Sequence, residues 1–101
     1  MTKTTREIEE LKMLKNAVKN AVLAGRKYYS ADLDADDKNG YLSDFHSALN
    51  IVRMLSEEVG YFMNNCTYLF TSTFENNYHA SMSMVYGIIR QATFVDLTEV
   101  D

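Results

Sequence analysis

Residues 5–30 read TREIEELKMLKNAVKNAVLAGRKYYS, and this stretch decides the fold class. Ile8, Leu11, Leu14, Val18 and Val22, followed by Gly25, recur in steps of three and four, which puts them on one face of a helix. No proline interrupts the pattern here or anywhere in the 101 residues, where average usage would place about five. Proline inside a helix removes a backbone donor and clashes with the preceding turn, so its absence lets helices run long. Both ends of the stretch are marked. Thr4-Thr5-Arg6-Glu7 fits a capping box, in which the Thr4 hydroxyl accepts from the third backbone N–H and Glu7 reaches back. Glu7, Glu9 and Glu10 at the start and Arg26 and Lys27 at the end suit the helix dipole. Tyr28 and Tyr29 close the segment.

The same period returns twice further along. Leu42, Phe45, Leu49, Val52, Val59 and Met63 form a second stripe, predicting a helix over about 41–64 that ends at Asn64-Asn65. Ala48, Ile51, Leu55 and Phe62 widen its apolar arc, as expected of a central helix covered on two sides. Phe74, Tyr78, Met82, Val85, Ile89 and Ala92 give a third helix over about 73–95, opened by the capping-box pattern Ser72-Thr73-Phe74-Glu75. Cys66 to Thr73 is rich in residues that favour strand locally, but no second strand-like run exists to pair with it. Between the first two helices, 31–40 holds Asp32, Asp34, Asp36, Asp37, Asn39 and Gly40 and reads as an acidic loop. The acidic tail 96–101 is expected to fray.

The expected architecture is therefore a single helical domain over 1–101: an all-α antiparallel three-helix bundle of long helices. A helix of about 24 residues is about 36 Å long, more than a compact chain of this size spans comfortably with a radius of gyration of about 13 Å. A rod exposes long flanks, so completion by dimerisation, a homo-oligomer, is expected.

Hydrophobic residues make up 47% of the chain and charged residues 24%, which is globular usage and not that of a disordered chain. No run approaches the ~20 apolar residues of a membrane span. Met1 to Leu14 is charged and lacks the apolar core of a secretory signal. Cys66 is the single cysteine and cannot pair within the chain, so a reducing, cytoplasmic setting is expected. The net charge of −4 hides a division: residues 1–30 carry seven bases and three acids, residues 31–101 three bases and eleven acids. Such asymmetry can orient a partner or the halves of a dimer.

Candidate chemistry is sparse. With Gly40 at the glycine position of an EF-hand loop, Asp37 and Asn39 fall on ligand positions, but Ala35 and His46 stand where the first carboxylate and the bidentate glutamate belong. Glu75 and His79 are four apart, not the three of ferritin-like Glu-x-x-His sites, with Glu57 and Glu58 as the only further acids near that turn. Cys66 and His46 are the only ingredients for thiol catalysis, and no nucleophile elbow or oxyanion-forming turn flanks them. No catalytic residue, metal or cofactor is assigned. Lys12, Lys15, Lys19 and Arg26 share a face of the first helix, a basic stripe able to meet an acidic protein or a phosphate backbone. Seven Tyr, six Met and five Phe are a surplus of side chains suited to interfaces. Tyr28, Tyr29, Tyr61 and Tyr68 lie off the stripes, as do Met13 and Met84. The expected contact surface combines the basic stripe, Lys27 and these tyrosines, at the end of the first helix and the 61–70 junction.

The function expected is non-enzymatic: an inhibitor or adaptor that binds a protein target. Compact chains without catalytic motifs are common among phage and mobile-element proteins that block host machinery. The alternative is a regulator contacting nucleic acid through the basic face, although the acidic remainder would repel it. A further alternative is a small-ligand or nucleotide-binding oligomer using Arg26, Lys27 and tyrosines.

Overall fold

The computed structural model describes residues 4–30, 38–66 and 78–99. These form α1 (Thr5–Ser30), α2 (Lys38–Leu55), α3 (Glu57–Asn65) and α4 (Tyr78–Thr93), with a 3-10 turn at Leu97–Glu99. The fold is all-helical, and no strand occurs among the described residues. The body measures 51 × 27 × 21 Å with a radius of gyration of 13.9 Å, elongated as long helices require.

α1 starts where its cap signal stands. The Glu7 N–H donates to Thr4 Oγ1 at 3.1 Å, and the Ile8 N–H donates to the Thr4 carbonyl at 3.0 Å. Its buried face is Leu14, Ala17, Val18, Ala21 and Val22. The two alanines, side by side with the larger residues, let α2 approach closely. α2 answers with Phe45, Leu49 and Val52, all buried. The two helices are antiparallel. Tyr28 near the end of α1 meets Lys38 at the start of α2, with Nζ 4.9 Å from the ring centroid. At the other end, Glu7, Leu11 and Leu14 share a surface hollow with Leu55 and Ser56.

The expected single helix over 41–64 is two helices. Ser56 is extended (φ −157°, ψ 105°), and its hydroxyl accepts from the Val59 N–H at 3.3 Å, capping α3. Ser56 still donates its own N–H to the Val52 carbonyl at 2.7 Å, so the chain kinks without losing that bond. Gly60 makes the crossing possible: a Cβ there would lie 2.9 Å from the Arg53 Cα. α3 thus continues the buried stripe through Val59 and Met63 along a different axis.

The third expected helix, 73–95, is seen as α4; its start and the 66–72 junction lie outside the described residues beyond Cys66. Met82, Val85, Tyr86 and Ile89 enter the same core. Lys15 Nζ lies 5.4 Å from the Tyr86 ring centroid, which sets α4 beside α1. The expectation for the second stripe holds in part: Ala48, Leu55 and Phe62 are partly buried against the core, while Ile51 stands at 53% exposure.

The tail is not frayed over 96–99. Leu97 is fully buried in the main core. Asp96 Oδ1 accepts from the Thr98 N–H at 2.9 Å, capping the 3-10 turn that carries Leu97 inward. The acidic composition hid one apolar anchor. Of the loop predicted over 31–40, residues 38–40 belong to α2 and 31–37 lie outside the described residues.

Candidate interaction surface

The basic stripe divides along α1. Lys12 and Lys19 are exposed, while Lys15 and Arg26 are half-buried. Lys15 lies over the Tyr86 ring, within the range of a cation–π contact, so part of its charge serves the molecule itself. Lys27 is exposed and Tyr28 half-buried beside Lys38. Tyr61 is exposed on α3, with the Arg53 guanidinium carbon 5.0 Å from its ring centroid. Tyr28 and Tyr61 are not brought together: their partners, Lys38 and Arg53, are fifteen residues apart on α2, or about 22 Å. The side chain of Tyr29 and the whole of Tyr68 lie outside the described residues.

The acidic readings resolve by placement. Asn39 and Gly40 sit in the first turn of α2, where the sharp turn of an EF-hand loop is not formed. Asp37, Glu75 and the His79 side chain lie outside the described residues. Glu57 and Glu58 are exposed in the first turn of α3, where they face its positive dipole end. Among the described residues no group of three metal-ligating side chains occurs. Cys66, a free thiol, is half-buried at the end of α3 and packs against the core. His46 is exposed on α2, its ring centroid 5.9 Å from that of Phe45. No helix among the described residues is long and apolar enough to cross a membrane.

Two apolar features escaped the reading of the sequence. The first is the end of α4. Phe94 has φ 63°, the single non-glycine residue with positive φ among those described, and its ring is 89% exposed. Its N–H donates to the Arg90 carbonyl at 2.8 Å, closing the helix in the left-handed cap that glycine normally supplies. Thr93 locks the preceding turn, its buried hydroxyl donating to the Ile89 carbonyl at 2.7 Å and accepting from the Val95 N–H at 3.3 Å. Phe94 overhangs an open hollow with Gly87, Arg90, Gln91 and Asp96, where Arg90 Nε stands 3.8 Å from Asp96 Oδ2. Met84 is half exposed on the same helix. Left-handed phenylalanine leaves no mark in sequence pattern, since the helical stripe simply stops there.

The second feature is a groove of about 390 Å³ between α1 and α2, lined by Met13, Asn16, Ala17, Asn20, Ala48, Ile51 and Leu55. Among the described residues no charged side chain lines it. Comparison with family models, curated proteins and solved structures finds no match for the chain. The surface itself must carry the functional argument.

Proposed function

We propose that this is a non-enzymatic interaction protein, an inhibitor or adaptor that binds a protein target, built as a helical bundle completed by dimerisation and working in the cytoplasm. The observation that supports target binding is Phe94. A non-glycine residue in the left-handed region costs about 1–2 kcal/mol, and an exposed aromatic ring recovers none of that through burial. Strain kept at a site is commonly tied to what the site does. A ring held out from a rigid helix end, next to an arginine, has the composition of an interface hot spot. Met84 extends the same face with an adaptable apolar side chain.

The test is capture from nuclease-treated lysate of the native host, with the wild-type chain beside Phe94→Gly. The glycine variant keeps the backbone cap and removes the ring. A stoichiometric protein retained by the wild type and lost by the variant is the expected result. A partner held equally by both would detach target binding from this face. Capture that nuclease abolishes would favour nucleic-acid contact through Lys12, Lys15, Lys19 and Arg26, with the steep salt dependence of phosphate contacts. A nucleotide that raises the melting temperature without any captured protein would favour the small-ligand alternative.

A further inference from the structure

We propose that Asn39-Gly40 is a site of spontaneous covalent modification. The Gly40 backbone nitrogen closes on the Asn39 carboxamide with loss of ammonia, and water opens the resulting ring to aspartate or isoaspartate. The site is separate from the Phe94 face, and its chemistry needs no partner.

The sequence sets the two reacting groups side by side. Asn39 is followed by glycine, and no other asparagine of the chain is. The side-chain carbonyl carbon of an asparagine can close a five-membered ring with the next backbone nitrogen. The bulk of the following side chain and a stiff backbone oppose that closure. Glycine removes the first obstacle because it has no Cβ, and lowers the second because it adopts backbone angles closed to other residues.

The fold leaves this pair open. Both residues are exposed, and both lie in the first turn of α2. The Gly40 N–H has no acceptor within the helix, because the carbonyl four residues back belongs to residue 36, before α2 begins. A Cβ built on Gly40 would meet nothing within 4 Å, so no packed neighbour shields the dipeptide. Asn39 must leave its helical backbone angles for the carboxamide to reach the nitrogen, and helix ends open at little cost. Asn16, Asn20 and Asn50 are also exposed, but they lie inside α1 and α2 and are followed by Ala17, Ala21 and Ile51.

The step balances with water alone. The Gly40 nitrogen gives up its proton as it bonds to Asn39 Cγ, and the carboxamide nitrogen takes up a proton and departs as ammonia. Water then adds to one of the two ring carbonyls. Breaking the new bond to Cγ leaves aspartate on an ordinary main chain. Breaking the original peptide bond leaves the main chain running through the side-chain carbon, as isoaspartate. Either product adds a negative charge. Aspartate suits the place, because α2 has no acidic residue in its first turn and an anion there faces the positive end of the dipole. Isoaspartate lengthens the main chain and interrupts the turn next to Lys38, whose Nζ lies 4.9 Å from the Tyr28 ring centroid. The α1–α2 pair then loosens from that end.

The experiment is prolonged incubation of the full chain at neutral and mildly alkaline pH, followed by intact mass, peptide mapping and enzymatic methylation of isoaspartate. The expected result is the mass change of OH replacing NH2, mapped to Asn39, faster at the higher pH and yielding both products. Its rate is expected to lie within about thirtyfold of that in the urea-unfolded chain, the small protection given by a fraying turn. Gly40→Ala has room for its methyl and is expected to keep the helical circular dichroism while slowing the change about tenfold or more. Protection beyond the thirtyfold limit overturns the proposal, as does an equal rate in Gly40→Ala. A change mapped to another asparagine and not to Asn39 also overturns it. Aspartate without isoaspartate would mean direct hydrolysis and would exclude the ring.

Discussion

At the scale of single residues, Phe94 and Val52 mark opposite relations between stability and exposure. Phe94 occupies a glycine-type cap while its ring stands in solvent. Replacing it by glycine relieves left-handed strain but adds freedom to the unfolded chain, for a net gain of about 0.5–1 kcal/mol. Thermal unfolding of Phe94→Gly should therefore show a midpoint a few degrees higher, while target capture is lost. A lower midpoint would mean that the ring stabilises the isolated chain. Val52 has no exposed surface and lies mid-stripe on α2. Val52→Asp, or Leu49→Asp one turn before it, places a carboxylate in an apolar core at a cost of several kcal/mol, against a total stability of about 5–15 kcal/mol. Far-UV circular dichroism should show the helices lost. Both core positions were legible from the stripe, because burial at helical period is a property of sequence. The cap at Phe94 was not, because backbone handedness follows from how Thr93 and Leu97 tie the chain on either side.

At the scale of elements, the junction between α2 and α3 is held by a cap and a close approach. Ser56→Ala removes the acceptor for the Val59 N–H and should cost about 1 kcal/mol, read as a lower denaturant midpoint with an unchanged slope. Gly60 and Gly87 make a sharper comparison, since both sit inside helices. At Gly87 an added Cβ meets nothing within 4 Å, so Gly87→Ala should stabilise by up to about 1 kcal/mol through helix propensity. At Gly60 the same methyl runs into the Arg53 backbone at 2.9 Å, so Gly60→Ala should destabilise by about 1–3 kcal/mol despite that propensity. Equal effects at the two glycines would show that α3 does not cross α2 as closely as described. The cap signal was present in the sequence as Ser56-Glu57-Glu58, serine before two acids at a helix start. The buried stripe ran across it through Val52, Val59 and Met63, and periodicity alone carries no information about a change of axis.

At the scale of the molecule, the carboxy-terminal turn ties the body together. Leu97 is fully buried and brings residues beyond α4 back to the core that α1 supplies. Leu97→Ala should cost about 2–5 kcal/mol, a large part of what so small a domain has. A melting midpoint within a degree of wild type would return the tail to the frayed state that its charge suggests. The open flank at Met13, Ile51 and Met54 is the other whole-molecule feature, because a core this small cannot cover every apolar side chain of three long stretches.

What the sequence determined by itself was the class and the core: all-helical, with Leu14, Val18, Val22, Leu49, Val52, Val85 and Ile89 inward. Helical period and the lack of proline act locally along the chain and can be read from it. The change of axis at Ser56, the anchoring of Leu97, the left-handed Phe94 and the exposure of Ile51 were decided by the tertiary structure. Each depends on which helix lies against which, a long-range choice made by packing volume and close approach. The candidate surface fell on that second side of the division for the same reason: exposure is what remains after the helices have chosen their neighbours.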